Sequence, residues 1–369
     1  MRTQRFIGAP YGLAPAMPSE SRTLLIVGLG NVGVGICSAF ARQGWRMIGV
    51  DINPALASLA CLQAHGNLHL HVCAIDDLPD SELSNFLLAC SEIVYAAECG
   101  NRDEYTSRPS LGQENTERFE RFARRVVRLS QAGTAVHIAY VGGSWTRRGM
   151  IRTNGGRLEV TDDSPPKLET EANPYELAKT AAHVAAARLV AELGCSSSMS
   201  GTVASLQITF YDWASVVPNL APNFSVAKMA VAALEGEPIC YSAGDYGRPL
   251  LSACDAGRAL LLVTEARLRA LANGSVDAAA PDGCDCILLP GVFVPFERFA
   301  QLVQAVVATE TTLKADLAVA EGDTPAFLAA RCDGSRARLA RLGFEPDAAA
   351  VEEGLRETAR EFLRSRERT

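Results

Sequence analysis

Apolar and polar positions along the first part of the chain follow two periods, one typical of strands and one typical of helices. Short apolar runs rich in Val, Ile and Leu predict buried strands at 24–27, 46–50, 68–74, 91–97, 135–142 and 202–210. Longer amphipathic segments lie between them, such as 116–133 and 173–194, and predict helices. Strands that alternate with helices predict an α/β fold with a doubly wound parallel sheet.

The pattern changes beyond about residue 215. Short strand-like runs such as 237–244 and 284–291 mix with helical segments there, and a last helix is predicted over 349–365. We expect a smaller α/β lobe in this part of the chain. The sequence therefore divides into an N-terminal arm (1–22), a larger domain (23–214) and a smaller lobe (215–369), and the last two could exchange strands.

Composition excludes several classes of protein. The chain has 369 residues, 48% hydrophobic and 21% charged, which is typical of a globular fold. Its formal net charge of −7 gives nonspecific nucleic-acid binding no electrostatic support. No apolar run of about 18 residues occurs, so we expect no membrane span. The 11 cysteines form no C-x-x-C pair, so we expect free thiols in the cytoplasm and no metal site.

Three glycines follow the first strand, in the stretch "IVGLGNVGVGICSAF". Gly28, Gly30 and Gly33 form the pattern G-x-G-x-x-G, and Asp51 ends the next strand. In such a loop the first glycine permits a tight turn, the second lets the backbone approach a pyrophosphate, and the third allows close packing of helix on strand. The acid accepts hydrogen bonds from an adenosine ribose and repels a 2′-phosphate, which favours NAD over NADP. A flavin and a purely structural turn are the alternatives.

Tyr175 and Lys179 stand four residues apart in "NPYELAK", one turn of the predicted helix. Tyrosine ordinarily has a pKa of about 10, and an ammonium group one turn away favours its phenolate form. Ser144 follows the fifth strand, whose carboxyl end should face the ligand crevice of such a sheet. The three residues are candidates for proton transfer with a substrate hydroxyl, which Ser144 would orient. A capped helix and a loop serine are the structural alternative.

With these motifs the chain resembles the extended short-chain dehydrogenases/reductases, the NAD-dependent epimerases, dehydratases and reductases of nucleotide sugars. "QENTERF", "GEPICYSAGDYGRPLLSACDAG" and "CDGSRARLARLGFEP" are similar to further segments of the family and follow in its order. The resemblance implies an NAD-binding Rossmann domain over 23–214, a substrate-binding lobe over 215–369, and a homodimer formed by two helices of each copy. It also implies roles for the matching residues: catalysis by Ser144, Tyr175 and Lys179; NAD binding by Gly28, Gly30, Asn31, Val32, Gly33, Asp51, Ala96 and Lys179; and substrate binding by Asn115, Trp145, Thr146, Phe210 and Arg248.

The activity that the resemblance implies is nucleotide-sugar epimerisation, most simply at C4 through a transient 4-keto sugar. Trp145 and Thr146 stand where the family's dehydratases carry Asp-Glu, so a 4,6-dehydratase is not expected. Phe210 stands where the family usually has an asparagine near the nucleotide diphosphate. That difference leaves open an NAD(P)-dependent ketoreductase or dehydrogenase acting on a sugar or a natural-product intermediate. A catalytically silent NAD-sensing regulator is the third alternative, which an intact Ser–Tyr–Lys set disfavours.

Overall fold

The computed structural model describes most of the chain from residue 22 onward. The described residues are 22–53, 67–98, 102–132, 134–142, 151–152, 158–161, 174–194, 204–213, 216–217, 225–242, 247–273, 284–320, 328–331 and 333–366. The predicted arm, 1–22, lies almost wholly outside them.

Strands and helices alternate through the described residues, as the hydropathy pattern predicts. The strands are β1 (Thr23–Val27), β2 (Arg46–Asp51), β3 (Leu68–Val72), β4 (Glu92–Tyr95), β5 (Ala135–Val141), β6 (Ile151–Arg152), β7 (Leu158–Thr161), β8 (Ser205–Trp213), β9 (Val216–Val217), β10 (Ile239–Tyr241), β11 (Gly247–Ser252), β12 (Cys284–Leu289), β13 (Val292–Pro295), β14 (Leu317–Val319) and β15 (Leu328–Arg331). The helices are α1 (Asn31–Ala41), α2 (Asp80–Ala89), α3 (Arg102–Ser107), α4 (Ser110–Leu129), α5 (Pro174–Gly194), α6 (Ser225–Leu234), α7 (Ala253–Ala272), α8 (Phe296–Glu310), α9 (Asp333–Arg341) and α10 (Ala348–Arg366).

The main sheet is seven-stranded and parallel, with the strand order β12-β8-β5-β4-β1-β2-β3. The order reverses between β1 and β4, and at such a point the connections diverge and open a crevice outside the carboxyl ends of the strands. Val27 pairs with Tyr95 at that edge, so the residues after β1 and after β4 border the same crevice. The predicted α/β fold with a doubly wound parallel sheet is confirmed.

Two apolar cores cover the two faces of this sheet. On one face, Leu24 and Ile26 pack with Phe40 of α1, in a core that α7 completes. On the other face, Leu25 packs in a core with Phe122 of α4 and with residues of α5. Neighbouring strand residues point to opposite faces, so a strand covered on both faces is apolar throughout rather than alternating.

A third core lies in the C-terminal part of the chain. It is formed by α6, α8 and α10 around Leu250, Phe299 and Val303, beside two small sheets, β10–β14 and β13–β11–β9. The run at 284–289, which the sequence pattern groups with the smaller lobe, forms β12 and pairs with β8 of the main sheet. Both β12 and α7 come after residue 214 in the chain, yet they pack into the larger unit. The division at residue 214 therefore stays a prediction.

Two predicted boundaries differ from the structure. Helix α4 begins at Ser110 rather than at 116, because its first turn is buried through Leu111 and Gly112 although the sequence there reads as polar. A Cβ on Gly112 would lie 2.5 Å from the Cβ of Ala178, so the absence of a side chain lets α4 approach α5. Strand β8 continues to Trp213, so Phe210 lies within the strand rather than at its end.

A buried ionic cluster lies at the amino edge of the sheet, opposite the crevice. Glu92, at the start of β4, accepts hydrogen bonds from Nδ1 of His137 at 2.6 Å and from Arg267 of α7 at 2.6 Å. Burial opposes the ionisation of Glu92, but the neighbouring His137 and Arg267 outweigh it and hold the pKa of this carboxyl below its usual value. The cluster ties β4, β5 and α7 together where no substrate is expected.

Candidate active site

The glycine loop joins the carboxyl end of β1 to α1 at the point where the strand order reverses. Gly28 has a φ of 92°, which other residues rarely adopt, and its N–H donates to the carbonyl oxygen of Val50 at 2.9 Å. A Cβ on Gly28 would overlap the backbone of Ala97, which follows β4. A Cβ on Gly33 would overlap the carbonyl oxygen of Gly28. Both glycines are therefore explained by the folding of the loop itself.

Gly30 differs from the other two glycines. Its φ of −57° suits any residue, and a Cβ there would meet no atom within 4 Å. It immediately precedes Asn31 and Val32, the first residues of α1, whose N–H groups have no partner within the helix. Packing does not require a glycine here, whereas close approach of an anion to the helix N-terminus does.

Asp51, at the end of β2, is bonded to the loop. Its Oδ2 accepts a hydrogen bond from the N–H of Leu29 at 2.5 Å, and its Oδ1 accepts one from the N–H of Asn53 at 2.7 Å. A carboxylate offers roughly four acceptor positions, so these bonds leave capacity for ligand hydroxyls. Ile52 and Val72 lie beside it at the same edge with 62% and 51% of their surface exposed, which leaves apolar surface open next to the carboxylate.

The Tyr–Lys pair lies in the first two turns of α5. Proline at position 174 begins the helix, a favourable first residue because it lacks the N–H that would find no partner there. Tyr175 is half-buried, while Lys179 is buried with 7% of its surface exposed. The Nζ of Lys179 lies 5.5 Å from the centroid of the Tyr175 ring. The two side chains share one face of the helix and are close enough for the ammonium charge to act on the phenol.

Lys179 also forms an ion pair with Glu98, which follows β4 at the border of the crevice. The other carboxylate oxygen of Glu98 accepts a hydrogen bond from the hydroxyl of Tyr105 at 2.6 Å. Asn115, a predicted substrate residue, donates from Nδ2 to that hydroxyl at 2.8 Å and is almost completely buried. The contacts between Lys179 and Glu98 bring the Tyr–Lys pair to the crevice that the glycine loop also borders. Sequence reasoning missed Glu98, although a charged residue directly after a buried strand could have indicated it.

Comparison with solved structures finds the same architecture. A UDP-glucose 4-epimerase from Stenotrophomonas maltophila, with NAD and formylated UDP-arabinopyranose, superposes with a TM-score of 0.67 at 13% identity, over 93% of this chain and 99% of that one. A UDP-glucose 4-epimerase from Brucella ovis with NAD superposes with a TM-score of 0.64 at 16% identity, over 93% of this chain and 98% of that one. A dTDP-glucose 4,6-dehydratase from Streptomyces venezuelae with NAD superposes with a TM-score of 0.65 at 17% identity, over 93% of this chain and 98% of that one. No family model and no curated protein sequence matches the chain.

This chain has the fold of nucleotide-sugar epimerases. The architecture that the family resemblance implies is therefore confirmed at the level of the fold. Ala96 follows β4 in this epimerase fold, and its N–H donates to the carbonyl oxygen of Val27 at 2.7 Å. That bond places Ala96 next to the end of β1, and its role in NAD binding stays a prediction.

Several predicted site residues are placed only in part. Phe210 lies within β8, and Arg248 lies within β11 opposite Val294; for both, as for Asn31, only the backbone is described. Ser144, Trp145 and Thr146 lie outside the described residues. Their roles in catalysis and substrate binding stay predictions.

The described part of the chain lacks two further features. No group of three or more His, Cys, Asp or Glu side chains in those residues could hold a metal ion. No helix within the same residues is both long and apolar enough to cross a membrane.

Proposed function

We propose that this chain is an NAD-dependent nucleotide-sugar epimerase that inverts C4 through a transient 4-keto sugar. The observation that carries the proposal is the ion pair of Lys179 with Glu98, which brings Tyr175 to the crevice bordered by the glycine loop. A hydroxyl-activating pair beside a dinucleotide-type loop is what reversible oxidation of a sugar hydroxyl needs. The shared fold supports the same activity, since two of the matched proteins are UDP-glucose 4-epimerases.

The residues around the glycine loop fit NAD. The helix N-terminus beyond Gly30 would hold the pyrophosphate, because N–H groups that find no partner within the helix and the helix dipole favour an anion there. The remaining acceptor capacity of Asp51 suits the ribose hydroxyls, and the exposed Ile52 and Val72 offer apolar surface to an adenine ring. When bound, NAD would supply a reversible acceptor for the hydride of the sugar carbon.

Tyr175 is the proton-transfer residue in this proposal. The Lys179 ammonium, 5.5 Å from its ring, favours the phenolate, which accepts the proton of the sugar 4-hydroxyl during oxidation. The phenol returns that proton when the 4-keto sugar, turned over in the pocket, is reduced on its other face. Substrate and product are isomers, so each turnover consumes no net oxidant. Ser144 would hold the same oxygen in place.

The substrate in this proposal is a nucleotide-diphosphate sugar. The matched Stenotrophomonas maltophila epimerase contains formylated UDP-arabinopyranose, which supports this class of ligand. Arg248 would bind the diphosphate through its guanidinium, since a planar cation pairs well with phosphate oxygens. The remaining residues proposed to shape the sugar pocket are Asn115, Trp145, Thr146 and Phe210.

We also propose that two copies associate through α4 and α5. A groove of about 610 Å³ lies on the surface between these helices. Its lining includes small and apolar residues such as Ala178, Ala181 and Val184. Val184 has 42% of its surface exposed although it is apolar. The same helix pair of a second copy would cover this groove and allow close backbone approach, as the family resemblance implies.

Phe210 keeps a second function open, that of an NAD(P)-dependent ketoreductase or dehydrogenase. An aromatic residue where the family usually has an asparagine removes one hydrogen-bonding group near the diphosphate. A reductase would consume reduced cofactor in proportion to its product, whereas an epimerase would convert its substrate with no added reductant. Cofactor consumption during turnover therefore separates the two functions.

The test begins with thermal shift measurements, with NAD alone and then with NAD plus a panel of nucleotide sugars. Ligands that bind the folded state raise its melting temperature by mass action. Sugars that bind are then incubated with the enzyme, and the C4 configuration is read by NMR. Tyr175→Phe is the matched control, since it keeps the ring and removes the hydroxyl; it should bind as the wild type does and lose about 10²- to 10⁴-fold in rate.

Two outcomes would contradict the proposal. If no nucleotide sugar or free nucleotide shifts the melting temperature, a diphosphate role for Arg248 is wrong. If Tyr175→Phe leaves every measurable activity unchanged while NAD still binds, the chain is an NAD-sensing regulator rather than an enzyme.

A further inference from the structure

Lys179 is held by a carboxylate within the candidate site. Glu98 forms an ion pair with its ammonium group, and only 8% of the Lys179 side chain and 21% of the Glu98 side chain are exposed. Surface ion pairs contribute little because water screens them, whereas a pair with this degree of burial interacts through a lower effective dielectric constant. The charge that Lys179 presents to its neighbours therefore depends on Glu98.

Glu98 is itself fixed at both of its carboxylate oxygens. One oxygen contacts Lys179, and the other accepts the hydrogen bond from Tyr105 at 2.6 Å. Tyr105 is completely buried, and its hydroxyl accepts the hydrogen bond from Asn115 at 2.8 Å. A carboxylate anchored in this way from α3 and α5 cannot easily turn away from Lys179.

The anchored carboxylate lies in the same cluster as the proposed proton-transfer group. The ring of Tyr105 packs edge-on against the ring of Tyr175, with centroids 5.3 Å apart and an interplanar angle of 82°. Among the described residues, the groups linked to Glu98 include Tyr105 of α3, Asn115 and Arg118 of α4, and Tyr175 and Lys179 of α5. Arg118 is linked to it through Asn115, at 3.4 Å, and also approaches Asp76 at 4.0 Å.

These contacts have opposite electrostatic effects on the phenol. The positive charge of Lys179 favours the phenolate, and the negative charge of Glu98 disfavours it. We propose that Glu98 is a positioning residue that fixes Lys179 and offsets its charge, so that the ionisation of Tyr175 is set by the Lys179–Glu98 pair rather than by the lysine alone. The consequence for catalysis rests on the proposed function, whereas the electrostatic effect itself does not.

The test titrates Tyr175 in the protein without cofactor or substrate. Isotope-labelled tyrosine is followed by NMR against pH, and the signal that disappears in Tyr175→Phe identifies the residue among the 8 tyrosines. Glu98→Gln keeps the shape of the side chain and removes its charge, so the titration midpoint of Tyr175 should fall by about 0.5 to 1.5 pH units, the Coulomb effect of one charge several ångströms away. Glu98→Asp, which keeps the charge, should titrate closer to the wild type.

A purely structural role for Glu98 would lower the melting temperature and leave the midpoint of Tyr175 unchanged, and that result would overturn the inference. If Glu98→Gln does not fold, Tyr105→Phe replaces it, because it removes one of the two anchors and retains the charge. In Tyr105→Phe the titration midpoint of Tyr175 should fall, but by less than in Glu98→Gln. An unchanged midpoint in Tyr105→Phe would also overturn the inference. Failure of the chain to bind NAD or a nucleotide sugar would refute the proposed function and leave this titration result standing.

Discussion

The three loop glycines allow folding and cofactor binding to be separated by single substitutions. Gly28→Ala should destabilise the protein without ligand, because a φ of 92° costs an alanine about 1–2 kcal/mol. The overlap of the new methyl with the backbone of Ala97 should add about 1–3 kcal/mol. Gly30→Ala should change the stability by at most a few tenths of a kcal/mol, because its φ of −57° is ordinary and no atom lies within 4 Å.

These energies convert into melting temperatures through the entropy of unfolding. At about 2.1 cal/mol/K per residue, a chain of 369 residues has an unfolding entropy of about 0.8 kcal/mol/K. A loss of about 2–5 kcal/mol in Gly28→Ala should then lower Tm by about 3–6 °C. NAD at a hundredfold excess over its Kd should raise the Tm of the wild type by about 3–4 °C, since it contributes about 2.7 kcal/mol.

The assay is a thermal shift measurement with and without NAD on four proteins. Gly30→Ala should melt like the wild type without NAD and lose the response to NAD, because its methyl would occupy the space proposed for the pyrophosphate. Gly44→Ala is the control for backbone strain alone, since Gly44 has a φ of 76° with no atom within 4 Å and lies outside the loop. Its Tm should fall by about 1–3 °C, with the NAD response intact. A normal NAD response in Gly30→Ala, or a loss of stability equal to that of Gly28→Ala, would refute the reasoning.

Three further predictions concern the amino-edge cluster, the surface groove and the cofactor carboxylate. Glu92→Gln should destabilise the protein by about 3–5 kcal/mol in urea unfolding, because it leaves Arg267, whose side chain is only 10% exposed, without its charged partner. The pKa of Glu92 is lowered in the folded state, so the stabilisation that its charge contributes is present above about pH 4.3 and is lost as the pH falls through the folded pKa. If the stability of Glu92→Gln falls in acid as much as that of the wild type, this explanation is wrong. Val184→Arg should convert a dimer into a monomer in light scattering without changing the fold, and a dimer that persists would exclude the α4–α5 groove as its interface. Asp51→Asn should weaken the binding of NAD about tenfold or more in calorimetry and reduce the preference for NAD over NADP, because the amide carries no charge and can donate a hydrogen bond. An unchanged preference for NAD would exclude Asp51 as the acceptor for the ribose hydroxyls.

Local features of this protein could be predicted from its sequence. The unit β1–α1–β2 is encoded within about 30 consecutive residues, where an apolar run, a glycine turn and a second apolar run each follow local rules. Tyr175 and Lys179 lie one turn apart on any helix that spans them, so their spacing alone indicated a shared face. The parallel sheet followed because strands separated by helices have few other ways to pair.

Other features depended on contacts between distant segments. Glu98 and Lys179 are 81 residues apart, and nothing in either local sequence indicates that β4 and α5 meet there. In the same way, Leu111 and Gly112 in the first turn of α4 are buried because α5 packs against Gly112. Strand β12 (Cys284–Leu289) joins the main sheet only because β8 offers it a free edge. The sequence by itself determined which residue types could move a proton and hold a dinucleotide, since those properties are local and chemical. Tertiary structure decided which charges surround them, because electrostatic effects depend on distances through space that the order of residues does not contain.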